Sequence, residues 1–175
     1  DELLELIEKG ETFDSSLDAL QKMKAADIKS SVMVLNGLSG PELSERHAIN
    51  SARLMNAAQP DYLSTLVVEL PNGTQRFTKH FGDRWRKLGK LELFREMEVF
   101  LEHLELNSTI FRSDHASNYL VLKGVLGKDK DTLLQTVGAV VSPPYPDRTS
   151  GPGCAESVSV RGVSEPARFR RASAL

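Results

Sequence analysis

Cysteine is nearly absent from this chain, and its scarcity excludes several classes of site. Cys154 is the single cysteine among the 175 residues. One thiol cannot form an intrachain disulfide and cannot supply a cysteine-rich metal site. We therefore expect no metal to be bound by the chain itself. Cys154 is assigned no role, because neither a histidine nor a second cysteine lies near it in the sequence.

Long apolar runs and aromatic residues are also scarce, and neither sign of charge is in large excess. No run of roughly 18 or more apolar residues occurs, so no transmembrane helix is predicted, and no signal-peptide pattern opens the chain. The formal net charge of −2 gives no general attraction to nucleic acid or to an anionic membrane. No Walker A, dinucleotide-binding or zinc motif is present. These absences favour a cytoplasmic globular protein. The expected partner is a small-molecule substrate, and neither nucleic acid nor a membrane is predicted as a partner.

From Asp1 to about Val141 the chain alternates between helical and strand-like segments. Apolar residues spaced three and four apart predict helices at 1–7, 12–26, 39–58, 91–104, 119–125 and 131–141. The continuous apolar run Val32–Leu35, typical of a strand buried on both faces, predicts a strand at 28–35. The nearly all-apolar segment 62–70 predicts a second strand, with a weaker one at 109–111. A basic loop is predicted between 76 and 87.

This alternation indicates an α/β fold with right-handed βαβ units and a parallel sheet. Three strands are too few to close a barrel, so the chain is interpreted as part of one. The first helix has apolar spacing from its first residues and no strand before it. We therefore expect the N-terminus to be truncated.

The stretch from 142 to 175 has a different composition. It is rich in Pro, Gly, Ser and Arg, with five Arg, no Lys and no apolar periodicity. Such a segment buries too little apolar surface to offset the entropy of ordering. The prediction is a folded domain over 1–141 and a disordered tail over 142–175, and the abrupt change suggests a foreign or frame-shifted origin for the tail.

Ligands in parallel α/β folds bind beyond the C-terminal ends of the strands. The first segment there, 36–40, reads Asn-Gly-Leu-Ser-Gly: its glycines allow close backbone approach, and the next helix offers free N–H groups. The second contains Glu69 and Asn72, and a carboxylate there could bind a polar substrate or act as a base. An ordinary strand-to-helix turn and a solvated strand end are the alternatives.

The third segment, 112–118, packs Arg, Asp, His and Asn into seven residues. Arg112 could hold a carboxylate or phosphate, and His115 could transfer protons or contact a ligand. Asp114 and Asn118 complete the cluster, although the alternative is a turn that caps the following helix. The substrate-binding candidates are thus Glu69, Asn72, Arg112, Asp114, His115 and Asn118, and no residue is assigned a catalytic role.

Several segments together carry a resemblance to a known family. They are 8–12 (EKGET), 34–40 (VLNGLSG), 42–48 (ELSERHA), 60–63 (PDYL), 111–120 (FRSDHASNYL) and 122–124 (LKG). From Asp1 to about Val137 the chain resembles the C-terminal half of the core domain of radical S-adenosylmethionine (radical SAM) enzymes, in particular an uncharacterised bacterial branch. The segment 111–120 is the most specific match.

The resemblance implies the C-terminal portion of a partial (βα)6 TIM-like barrel with parallel strands. In the family, three cysteines hold a 4Fe-4S cluster, and S-adenosylmethionine bound to it is cleaved to a 5′-deoxyadenosyl radical that abstracts hydrogen from substrate. The three-cysteine motif is absent here, so both cofactors are expected in the parent protein, and the chain alone should be inactive. The turn that contacts adenine corresponds to Leu35, Asn36, Gly37 and Leu38.

A second hypothesis for the function of the chain involves no radical chemistry. In it the chain is a binding module built from half of a (βα)8-type barrel. The same strand-end residues then hold a small anionic ligand without redox chemistry.

Overall fold

Helices and strands alternate along the chain largely as the apolar spacing predicts. The structure is a computed structural model that describes residues 1–142, apart from the side chains at positions 76 and 83. The helices are α1 (Glu2–Leu6), α2 (Phe13–Ala25), α3 (Gly40–Ala58), α4 (Gln75–Phe81), α5 (Lys90–His103) and α6 (Lys130–Val141). The strands are β1 (Ser31–Asn36), β2 (Tyr62–Val67), β3 (Ile110–Ser113) and β4 (Leu122–Val125).

The four strands form one sheet in the order β1-β2-β3-β4. The pairs β1–β2 and β2–β3 are parallel, with α3 and α5 in the respective connections, as expected for βαβ units. The fourth strand runs antiparallel to β3, so the prediction of parallel strands is wrong for this pair. Residues 114–121 are too few for the crossover connection of a dozen or more residues that a parallel pair requires.

Two local predictions are wrong. The segment 119–125 is a loop followed by β4, not a helix: Leu122 is 2% exposed and the next residue, Lys123, is exposed, an alternation that fits a strand paired with β3. The basic loop contains α4 and a 3-10 turn. Phe77 and Phe81, one helical turn apart, pack beside Trp85, whose ring centroid lies 4.7 Å from that of Phe77.

One face of the sheet carries the main core. Along each strand, alternate side chains point to this face and pack against α3, α5 and α6. Its most buried members include Met55, Leu63, Phe100, Leu101, Leu104, Phe111, Leu126 and Val137. Val32 and Val34 of β1 pack against the same cluster.

The opposite face of the sheet, here called the open face, is much less covered. By alternation and register its side chains are Ser31, Met33, Leu35, Tyr62, Ser64, Leu66, Ile110, Arg112, Lys123 and Val125. None of them is buried, and Met33 is 57% exposed. A mostly parallel sheet normally has both faces covered, so this exposure is the unusual feature of the fold.

The described residues belong to one compact unit. Within them, no helix has the length and apolar character needed to cross a membrane. The tail that the sequence predicts to be disordered lies, beyond Ser142, outside the described residues, so its disorder stays a prediction.

Candidate functional site

The turn that joins β1 to α3 packs closely against Leu93 of α5 and against Trp85. Gly37 and Gly40 have φ angles of +77° and +65°, a left-handed conformation that glycine adopts without steric cost. A Cβ on Gly37 would lie 2.9 Å from Leu93 Cδ2, and one on Gly40 would lie 2.8 Å from Trp85 Cδ1. The Trp85 indole N–H also donates to the Leu38 carbonyl at 3.0 Å. The turn is therefore fixed against α5 and the Trp85 ring.

Leu35 and Leu38 meet at one groove on the open face. Both are half-buried. The groove has a volume of about 340 Å³. Its other lining residues are Leu4, Leu6, Ile7, Lys9, Met33 and Phe77. Two of the four residues predicted to bind the cofactor thus share an apolar cleft with side chains from α1 and α4.

Asn36 lies on the other side of the sheet. Strand alternation turns its side chain toward the helix-covered face, where Asn36 is 5% exposed and lines a small cavity of about 20 Å³ with Ser113 and Asn118. Its carbonyl accepts from the Val68 N–H at 2.9 Å. The predicted set of four is therefore divided between the two faces, with Gly37 at the turn between them.

Glu96 on α5 also belongs to this site, and the sequence reasoning missed it. Its Oε1 accepts from the Gly37 N–H at 2.8 Å, and its Oε2 accepts from the Ser44 hydroxyl. A signal was present: a carboxylate stands among Leu93, Met97 and Phe100 on the apolar face of a helix. A charge at such a position needs buried partners.

Glu69 and Asn72 follow β2 and are solvent-exposed. The Glu69 carboxylate forms an ion pair with Lys87, with Nζ to Oε2 at 3.3 Å. The two side chains are 59% and 48% exposed, so the pair contributes little to stability. Both predicted side chains are accessible to a ligand.

The charged residues of β3 and β4 gather on the open face. Arg112 and Lys123 are directly opposite in the antiparallel register. Lys123 Nζ lies 2.9 Å from Asp114 Oδ2, and this hydrogen bond, with a smaller contribution from the charge of Arg112, lowers the pKa of Asp114. Arg112 is exposed and forms no hydrogen bond or ion pair within the described part of the chain. Sequence reasoning missed Lys123 because it assigned that segment to a helix.

His115 is exposed and held by its own turn. Its Nδ1 accepts from the Ser117 N–H at 3.1 Å and lies 2.9 Å from the Ser117 hydroxyl. Because Nδ1 accepts a hydrogen bond, the neutral ring carries its proton on Nε2. That nitrogen is the one available to a ligand.

Asn118 joins the ends of two strands through its side-chain amide. Oδ1 accepts from the Val67 N–H at 2.9 Å. Nδ2 donates to the Thr65 carbonyl at 2.8 Å and to the Ser113 hydroxyl at 3.0 Å. Both amide protons are thus used inside the protein, leaving one oxygen lone pair for any external partner.

The residues of this chain do not fit an iron–sulfur cluster. Such clusters need several thiolates, and the chain has one cysteine. Among residues 1–142, no group of three or more His, Cys, Asp or Glu side chains is arranged to hold a metal ion. Any cluster ligands would have to come from elsewhere.

Comparison with known proteins gives no relative from which to transfer a function. No family model matches the chain, and neither curated proteins nor solved structures give a significant match.

Proposed function

We propose that the chain is the C-terminal part of a radical SAM core domain, in which the open face lines the inside of a partial barrel. The observation that carries this proposal is the half-covered, mostly parallel sheet. Helices α3, α5 and α6 pack on one face. On the other face α1 and α4 contribute side chains to the groove at Leu35 and Leu38, while Met33, Tyr62 and Arg112 remain in contact with solvent. Further βα units of a parent barrel would enclose that face. The resemblance of segments 34–40 and 111–120 to the family supports the same assignment.

Within this proposal, the groove at Leu35 and Leu38 takes the nucleoside end of S-adenosylmethionine. Its volume of about 340 Å³ is within the usual range for small-molecule pockets, and aliphatic side chains with one aromatic ring suit the faces of a purine. The cofactor supplies the carbon-centred radical when it is bound and reduced. Here the groove residues bind and orient the nucleoside.

Among the described strands β1 lies at the edge of the sheet, and its outer edge supports this use of the groove. An edge strand of a parallel pair bonds to its neighbour through alternate residues. The carbonyls of Ser30 and Asn36 accept from Tyr62 and Val68, so the backbone N–H and C=O of Leu35 point away from β2. Those two groups match the donor and acceptor pattern on the edge of adenine.

The iron–sulfur cluster is not held by the residues of this chain in the proposed function. One cysteine cannot supply three thiolates, so we propose that the ligands lie outside these 175 residues and that the chain alone is inactive. We further propose a cytoplasmic location, because a chain with a single cysteine is typical of a reducing compartment.

Binding of S-adenosylhomocysteine to the full chain tests the groove. We expect a dissociation constant on the order of 0.1–1 mM by isothermal titration calorimetry, since the chain offers part of a site. Leu38→Asp places a carboxylate in the apolar groove and is expected to weaken binding by at least about tenfold. Leu91→Asp is the matched control, because Leu91 is a 43% exposed leucine outside the groove lining. Equal binding by both variants would contradict the proposal.

A second function, a module that holds a small anion, is favoured by one observation. Arg112 and Lys123 are cross-strand neighbours of like charge, and Asp114 pairs with the lysine. Like charges directly opposite on a sheet destabilise it, so an anion bound between them would relieve the repulsion. Under this second hypothesis, the open face binds a carboxylate or phosphate without radical chemistry.

Binding of inorganic phosphate to the chain distinguishes this second function from the first. Arg112→Ala is expected to weaken phosphate binding by about tenfold, on the order of one charged hydrogen bond. Arg53→Ala is the control, because Arg53 is exposed on α3 and contacts Asn50 rather than the open face. Phosphate binding that Arg112→Ala leaves unchanged excludes this site. Phosphate binding without any S-adenosylhomocysteine binding favours the anion module.

A further inference from the structure

A carboxylate is buried directly behind the β1–α3 turn. The Glu96 side chain is 2% exposed, although its neighbours on that face of α5 are Leu93, Met97 and Phe100. Burying a carboxylate costs free energy unless hydrogen bonds compensate. A well-packed apolar residue at such a position is often as stable or more stable. Stability alone is therefore a poor explanation for Glu96.

The contacts of Glu96 are directed at the turn and at the start of α3. Oε1 accepts from the Gly37 N–H at 2.8 Å, and Oε2 accepts from the Ser44 hydroxyl. His47 Nδ1 lies 3.5 Å from Oε1, with its side chain 11% exposed. One carboxylate on α5 thus joins the turn to two successive helical turns of α3.

These contacts fix one particular peptide plane. The peptide between Asn36 and Gly37 has its carbonyl bonded to the Val68 N–H and its N–H bonded to Glu96. A trans peptide is planar, so fixing both polar ends sets its orientation. Leu35 precedes this plane and Leu38 follows Gly37. The relative placement of the two groove leucines therefore depends on it.

We propose that Glu96 is a positioning residue for the nucleoside groove. It acts through the Gly37 N–H and does not touch the ligand. The inference rests on the proposed function, because the groove is the proposed nucleoside site. Without the carboxylate, the Asn36–Gly37 peptide keeps only its bond to the Val68 N–H, so the relative orientation of the two leucines is held less firmly.

Two variants of Glu96 and one control test this role in the full chain. Glu96→Leu removes the acceptor and keeps the volume, and Glu96→Gln keeps an oxygen that can accept from Gly37. The control is Asp129→Ala, which removes a carboxylate bonded to the Val125 N–H at 2.7 Å. Each variant is measured for S-adenosylhomocysteine affinity, for stability in urea and for hydrogen exchange at the Gly37 amide.

We expect Glu96→Leu to weaken binding on the order of tenfold and to remove the protection of the Gly37 amide. Glu96→Gln should retain both within about threefold, and Asp129→Ala should lose stability while binding as the wild type does. Wild-type affinity and Gly37 protection in Glu96→Leu would overturn the positioning role and leave the proposed function standing. A wild-type chain that protects Gly37 but binds no S-adenosylhomocysteine would overturn both.

Discussion

Replacing Phe111 with alanine is expected to destabilise the fold by about 3–5 kcal/mol, the usual cost of deleting a buried phenylalanine. Phe111 is 0% exposed and lies on β3 between Leu63 of β2 and Gly124 of β4. Its ring belongs to the cluster that joins the sheet to α5 and α6. The measurement is urea unfolding followed by circular dichroism, with the shift of the midpoint converted through the slope.

Met33→Ala is the control for this prediction. Met33 is also on a strand, but it lies on the open face and is 57% exposed. Its truncation is expected to change the free energy of unfolding by no more than about 0.5 kcal/mol. If Met33→Ala cost as much as Phe111→Ala, the open face would be a packed core, and the proposal of an incomplete barrel would lose its main support.

Asn118→Ala is expected to destabilise the protein by about 2–4 kcal/mol. Three hydrogen bonds of roughly 1 kcal/mol each are lost, and the Val67 N–H and Thr65 carbonyl lose their partner. Asn118→Asp should also destabilise, since a carboxylate cannot donate to that carbonyl. The same urea titration measures both variants.

His115→Ala provides the comparison for Asn118. His115 is exposed and its ring bonds only within its own turn, so the free energy of unfolding should change by less than about 0.5 kcal/mol. If Asn118→Ala were as stable as His115→Ala, the amide would not hold the strand ends together. Its polar groups would then be free for the ligand contact that the sequence predicts.

Long periodic elements of this fold could be predicted, and the short ones could not. Helix α5 carries an apolar stripe over several turns, and β1 and β2 lie in segments rich in apolar residues. Strand β4 has four residues, one of them Gly124, and takes its strand conformation from pairing with β3. Such pairing is a tertiary effect that local periodicity does not record.

The candidate site was predictable where it depends on local geometry. The rule that parallel strands bind ligands at their C-terminal ends selects the turn at 36–40, and the family resemblance adds Leu35 to the predicted set. The separation of Asn36 from Leu35 follows from the two-residue period of a strand, once β1 is known to extend to Asn36. The hydrogen-bond partners of Glu96 and Asn118 were not predictable, because they lie 59 and 51 residues away along the chain.

We propose that this chain is part of a radical SAM core whose cluster ligands lie outside the 175 residues. Sequencing the coding DNA upstream of the codon for Asp1 tests it most directly. We predict three cysteine codons in C-x3-C-x2-C spacing, in the same reading frame, with thiolates suited to a 4Fe-4S cluster. A coding region that starts without any such cysteine triplet would contradict the claim and favour the anion-binding module.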